Sequence, residues 1–239
     1  MPKARTFKCL FQQKGETYKL FINDVIRGGK DWFTGENAET SAIYVAEKLA
    51  EIPDGSTLEV HINSDGGDAF EGTAIYNLIK NAPIKTVGIV DGHAFSAATF
   101  ILAACDTRIM LTGTMMLVHN AWTIAMGNAD ELRAVAADLD KLMESNRKLL
   151  LERCKLSEDE LIALMAEDRM ITPEEALEFG FIDQIGMEAE EEGEPEEDEP
   201  EPEEDQPGNE PEEEEPDDND AQALREGYVA AERFFKQFF

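Results

Sequence analysis

The chain has 239 residues, 42% of them hydrophobic, and a formal net charge of −31 at pH 7, so it has ample apolar material for a core. The charge is uneven: residues 188–220 hold 21 Asp and Glu and no Lys or Arg, leaving 31 acids against 21 bases elsewhere. That mild acidity argues against binding nucleic acid or an anionic membrane, both of which need a basic face, and no stretch approaches the ~18 apolar residues of a membrane span.

The expectation is therefore a soluble, cytoplasmic protein. Cys9, Cys105 and Cys154 lie far apart and form neither a disulfide framework nor a zinc spacing. No metal and no organic cofactor is implied.

In chain order, residues 6–12 alternate loosely and TYKLFI (17–22) reads as a second strand before Gly28 and Gly29. Ala42, Ile43, Ala46, Leu49 and Ala50 recur at helical spacing over 39–52, stopped by the turn Pro53-Asp54-Gly55. Residues 57–63 alternate with Leu58, Val60 and Ile62 on one face, and run through Ser64-Asp65-Gly66-Gly67-Asp68 into an amphipathic helix carrying Phe70, Ala74, Ile75, Leu78 and Ile79. The strand IKTVGIV (84–90) repeats the plan, ending at a turn of Asp91 and Gly92 before a helix that starts near Ser96. Further strands are predicted around 108–111 and 115–118, the second ending at His119.

Strands alternating with helices of about 10–15 residues predict βαβ units and a mainly parallel sheet, with ligands gathered beyond the carboxyl ends of the strands. Residues 128–155 predict a long helix, with Asn128 and Glu131 as a capping box. Its Leu132, Val135, Leu139, Leu142, Asn146 and Leu149 follow a near-heptad spacing that suits either a partner helix or ordinary core packing. Ser157 with Glu160, and Thr172 with Pro173 and Glu175, open two more helices; Gly180 closes the last before a strand over 181–185.

The expected organisation is a folded domain over 1–187, a disordered acidic linker over 188–220, and a short amphipathic helical docking segment over 221–239. The linker has no aromatic and no large aliphatic residue to offset the entropy of ordering. The last segment regains Leu224, Tyr228, Val229 and four phenylalanines; an incidental hydrophobic end is the alternative.

Serine acyl-transfer chemistry needs a histidine base, a carboxylate to orient it, and two oxyanion donors. Ser96 stands among small residues in GHAFSAA (92–98), which also leaves room for a peptide. Of three histidines, His119 is the best placed as base. His61 and His93 are read as structural by default, and their neighbours offer no obvious acid partner.

At this point the chain resembles the proteolytic subunit of the Clp protease, of the ClpP/crotonase fold, over roughly residues 17–186. The motifs that carry the likeness are HINSDGG (61–67), GHAFSAA (92–98), MMLVHN (115–120) and EDRMITPEEALEFGFID (167–183). The resemblance implies repeated ββα units with a mainly parallel sheet and a long protruding helix. It implies a serine endopeptidase with the triad Ser96, His119 and Asp168, and with Gly67 and Ala97 donating backbone N–H groups to the oxyanion. Gly66 and Gly67 allow close backbone approach, and Ala97 follows the nucleophile at a helix N-terminus, which suits those roles. Substrate would lie as an extended strand along Gly66, Asp68, Ala69 and Trp122, and the long helix would assemble copies into a homo-oligomeric ring.

Several residues depart from the family pattern. Asp65 replaces a proline, Phe95 and Ala97 flank the serine in place of Ala and Met, and Asn120-Ala121-Trp122 follows the histidine in place of Gln-Pro. These bring the chain closer in character to bacteriophage head maturation (prohead) proteases, which cleave scaffold and capsid proteins inside the procapsid. Rival readings are a cytoplasmic Clp-like peptidase fed by an AAA+ unfoldase ATPase, a crotonase-type acyl-CoA enzyme, and a non-catalytic scaffold or binding protein.

Overall fold

The structure, a computed structural model, describes residues 11–29 and 37–186. The start of the first predicted strand, Cys9, the acidic linker and the docking segment lie outside the described residues.

Two strands, β1 (Phe11–Lys14) and β2 (Thr17–Ile22), form a hairpin whose turn uses Gly15 at φ 64°. Helix α1 (Ala42–Leu49) is shorter than the periodicity predicts, because Ser41 caps it through Tyr44 N–H and the chain turns at Ala50. Then come β3 (Thr57–Ser64), α2 (Ala69–Lys80), β4 (Lys85–Phe95) and α3 (Ala98–Ala104). Strands β5 (Thr107–Met110) and β6 (Met115–Leu117) precede the 23-residue α4 (Ala129–Leu151), α5 (Glu158–Glu167), α6 (Pro173–Phe179) and β7 (Gln184–Ile185).

The sheet order is β1-β2-β3-β4-β5-β7, with β6 paired to β4; every pairing except β1 with β2 is parallel. The expected mixed fold with a mainly parallel sheet is therefore observed. Inward positions of β2 (Tyr18, Leu20, Ile22) and β3 (Leu58, Val60, Ile62) pair in register and are buried, as the alternation requires. All of α3 is buried against β4, where Gly88 lacks the side chain that would collide with Leu102 and Cys105.

Three expectations change. The turn at Asp91 and Gly92 is instead continuous strand. A register shift between Ile62 and Ser64 lets β4 run on to pair Ser64 with Ala94, and Gly92 leaves the space that the Asn63 side chain fills. The strand over 181–185 is only β7, because Phe181 N–H turns back to Ala176 O to close the helix end at Gly180 (φ 77°). Cys154 lies past the end of α4 and is half-buried, whereas Cys105 is fully buried at the end of α3; both are free thiols.

All three predicted capping boxes, at Asn128, Ser157 and Thr172, are formed. In α4 only Met143, Asn146 and Leu150 are buried, so its first half projects from the sheet layer with Leu132 42% exposed. Arg108 is buried on β5; its guanidinium donates to both Asp183 carboxylate oxygens at 2.7 and 3.0 Å and to Gly180 O at 2.9 Å. No helix among the described residues is long and apolar enough to cross a membrane.

Candidate active site

The site is assembled by β6, a three-residue strand that touches two partners. Along one edge it runs parallel to β4, pairing Phe95 with Leu117, and the next residue, Ser96, donates its N–H to Leu117 O at 2.8 Å. Ser96 is held at φ 53°, in the left-handed region that a residue with a side chain visits at a cost. Its carbonyl accepts from Thr99 N–H at 2.9 Å and Thr99 Oγ1 at 2.7 Å, which pins the turn into α3.

On its other side, Met116 forms an antiparallel bridge with Ile171, with both N–H···O bonds made, at 3.0 and 2.8 Å. An antiparallel register carries the chain forward from Met116 to His119 as it carries the other strand back from Ile171 to Asp168. The two side chains meet: His119 Nδ1 lies 3.2 Å from Asp168 Oδ1. Asp168 is aimed there by its own left-handed backbone (φ 50°, ψ 42°) at the end of α5.

Ser96 and His119 line one cavity of about 650 Å³. Among the described residues no hydrogen bond joins Ser96 to the imidazole, so of the two contacts a triad needs, the one between His119 and Asp168 is in place and the one between Ser96 and His119 is open. Asp168 sits on the far side of His119 and is not part of the cavity wall.

The glycine loop closes the other wall. Gly66 (φ 86°) packs so tightly that a Cβ there would stand 2.7 Å from Ser96 Cβ and 2.9 Å from Ala97 N. Gly67 (φ 144°) bridges to Ile26, with Ile26 N–H bonded to Gly66 O and Asp68 N–H to Ile26 O. This pattern leaves the Gly67 N–H unused, and the Ala97 N–H at the start of α3 is likewise without a partner among the described residues. Gly67, Asp68, Ala69 and Trp122 all line the cavity; Asp68 also caps α2 through Phe70 and Glu71 N–H, and Trp122 is 73% exposed.

The other two histidines, read as structural, do have acid partners. His61 stacks on Phe21 and its Nδ1 lies 2.9 Å from Asp91, with Glu59 at 3.3 Å from Nε2; His93 Nε2 lies 3.0 Å from Asp65. Asp91 and Asp65 come from a neighbouring strand and loop and are brought in by the fold, whereas Glu59 lies two residues before His61 on the same face of β3. Burial disfavours the His61 cation, but Asp91 and Glu59 outweigh it and raise the His61 pKa. The small residues beside Ser96 also serve another purpose than room for a peptide: Ala97 and Ala98 are buried, and Ala97 faces Gly72 of α2, where a Cβ would meet Ala97 Cβ at 2.8 Å.

Sequence reasoning missed Phe70, Thr99, Met143 and Asn146 as cavity residues. Phe70 had been expected on the packed face of α2 and is 72% exposed at the cavity. The signal for Asn146 was present: a lone amide in an otherwise apolar seam.

The Clp protease family model matches residues 21–189, which include every element of this site. The chain belongs to the Clp protease family. It is thus a member of a family of serine endopeptidases. It is 30% identical over 132 residues to an ATP-dependent Clp protease proteolytic subunit from Deinococcus radiodurans, covering 54% of this chain and 64% of that relative's length. A subunit of the same description from Bacteroides fragilis is 26% identical over 157 residues, covering 65% of this chain and 74% of the relative. Among solved structures, a ClpP1 mutant from Listeria monocytogenes superposes with TM-score 0.58 at 21% identity, covering 70% of this chain and 90% of that one, which supports the shared fold.

Proposed function

We propose that the chain hydrolyses peptide bonds in protein substrates through Ser96, His119 and Asp168. The observation that carries this reading is the strained Ser96, tied through β6 to an imidazole that already faces a carboxylate. His119 Nε2 would take the proton as Ser96 Oγ attacks the scissile carbonyl, and Asp168 would hold the tautomer that leaves Nε2 free to accept. The N–H groups of Gly67 and Ala97 would receive the oxyanion. His119 would then pass its proton to the leaving amine; water, activated by the same imidazole, would release the acyl group from Ser96. Substrate binding has to close the Ser96 to His119 contact, a tightening common in enzymes met without ligand. Gly66, Asp68, Ala69 and Trp122 would flank the extended substrate, and the half-buried apolar seam of α4, with Leu132 exposed, supports assembly of copies into a homo-oligomeric ring.

Within that reading, the setting proposed is phage head maturation, with scaffold and capsid proteins as substrates, supported by Asp65 and by the Asn120-Ala121-Trp122 run after His119. The names of the relatives favour a second setting, in which an unfoldase ATPase feeds the peptidase. The chemistry is tested by labelling the purified full chain with a fluorophosphonate probe. Wild type is expected to label, and Ser96→Ala and His119→Ala are not; equal labelling of all three would sink the triad. Co-expression with genes neighbouring its own separates the settings: cleavage of a capsid or scaffold protein without an ATPase supports the first, and an ATPase requirement supports the second.

A further inference from the structure

Asn146 is the one polar side chain on the buried face of α4. It is 3% exposed, and its Oδ1 is closed to solvent and accepts no hydrogen bond. Burying an amide without partners is unfavourable, and most buried polar side chains avoid it. Asn146 lines the cavity that holds Ser96 and His119, in a recess formed by Phe100 of α3, Leu142, Met143 and Leu150 of α4, and Met165 of α5. The one other polar neighbour from α3, Thr99, already spends its hydroxyl proton on Ser96 O. Rotation about the last side-chain bond can present either amide atom to the recess.

Ser96 and Asn146 line the same cavity, so in an acyl-enzyme on Ser96 the side chain of the residue bearing the scissile carbonyl would share that cavity with Asn146. An aliphatic side chain there would leave the Asn146 amide dry and unpaired. A side chain that both donates and accepts would satisfy it.

We propose that Asn146 is a specificity-determining residue, and that it selects an uncharged amide side chain, glutamine or asparagine, on the substrate residue that contributes the scissile carbonyl. The proposal rests on the peptidase reading above. Asp65, Asp68 and Asp138 also line the cavity and would instead favour lysine if they dominated recognition.

The test uses the full chain and short fluorogenic peptides that differ only at that residue: Gln, Asn, Leu, Met or Lys. Wild type is expected to prefer Gln or Asn over Leu in kcat/KM by about tenfold or more, as sites built to hydrogen-bond a substrate do. Asn146→Leu is expected to invert that ratio and to melt at a higher temperature, since it removes an unpaired buried amide. A wild-type preference for Leu or Met, a preference for Lys, or an unmoved ratio in Asn146→Leu would each overturn the proposal. Should the variant not fold, the wild-type profile alone decides. Fluorophosphonate labelling of the same samples separates the failures: an unlabelled wild type sinks the peptidase reading, whereas labelling with the wrong preference sinks only the role of Asn146.

Discussion

Removal of the carboxylate behind His119, by Asp168→Ala, is expected to slow the reaction without stopping it. The Nδ1 to Oδ1 distance of 3.2 Å is at the long end for such a bond, and the Asp168 side chain is 69% exposed against 17% for His119. A shielded hydrogen bond to a charged group contributes about 1.5–3 kcal/mol, while an exposed ion pair contributes ~1 kcal/mol or less. A contact with one buried and one wet partner falls between, at about 1–2 kcal/mol, or roughly 5- to 30-fold in kcat/KM. Water can take the vacated position and accept from Nδ1, which a buried triad would not permit; there the expected loss is on the order of 10,000-fold. The assay is peptide hydrolysis together with the second-order rate of fluorophosphonate labelling, in wild type, Asp168→Ala and Ser96→Ala. A loss beyond about 1,000-fold would refute the reasoning from solvent access. No loss at all would remove Asp168 from the chemistry.

Arg108→Met is expected to destabilise the fold by about 3 kcal/mol, because it strands the Gly180 and Arg153 carbonyls and the Asp183 carboxylate, although the partial exposure of Asp183 limits the cost; urea denaturation measures it, and a shift under about 1 kcal/mol would contradict the clamp. Gly66→Ala places a Cβ against Ser96 and Ala97 at a positive φ, so probe labelling should fall at temperatures where circular dichroism still reports a folded chain. The raised His61 pKa gives a signed pH effect. Its contribution to stability is complete below about pH 6.5, the unfolded value, and is lost as pH rises through the higher folded value; Asp91→Asn should flatten that part of a melting-temperature profile. Val135→Glu with Leu139→Glu places charge on the half-buried apolar seam of α4, and light scattering should report a smaller particle than wild type; an unchanged mass would show that the seam is not an interface.

What could be read from the sequence is what depends on neighbours along the chain. Asn128 with Glu131, Ser157 with Glu160 and Thr172 with Glu175 each satisfy their helix ends within three residues, so the caps and the helices they open were legible. The alternation over 57–63 likewise settles which face of β3 is buried. Asp91, paired with His61, and Asp65, paired with His93, lie 30 and 28 residues away in sequence, across strand pairings that no periodicity reports, while Glu59, two residues from His61, was within reach of a local reading. The Asp91-Gly92 pair resembles a turn locally, yet the bulge between Ile62 and Ser64 on the neighbouring strand keeps it extended. Phe70 fits the apolar stripe of α2, but only the cavity beside it shows that this end of the stripe has nothing packed over it. The approach of His119 to Asp168 was expected only through the resemblance, because the bridge that brings them together is non-local.

The same three-residue strand explains why the strain at Ser96 persists. A left-handed serine costs about 1–3 kcal/mol, and three hydrogen bonds hold it: Ser96 N–H to Leu117 O, Thr99 N–H to Ser96 O and Thr99 Oγ1 to Ser96 O. At ~1 kcal/mol each they are of the size needed to offset it, provided that Gly66 leaves the space beside Ser96 empty. Leu117 supplies the first of these bonds, and Met116 beside it makes both bonds to Ile171 that align His119 with Asp168. The proposed nucleophile and base are therefore positioned by adjacent peptide groups of one strand, so a displacement of β6 would disturb the turn at Ser96 and the orientation of His119 together. Under the proposed mechanism rigidity at 115–117 is part of the chemistry, while the 120–128 segment that follows makes few such bonds and leaves Trp122, Ile124 and Met126 exposed.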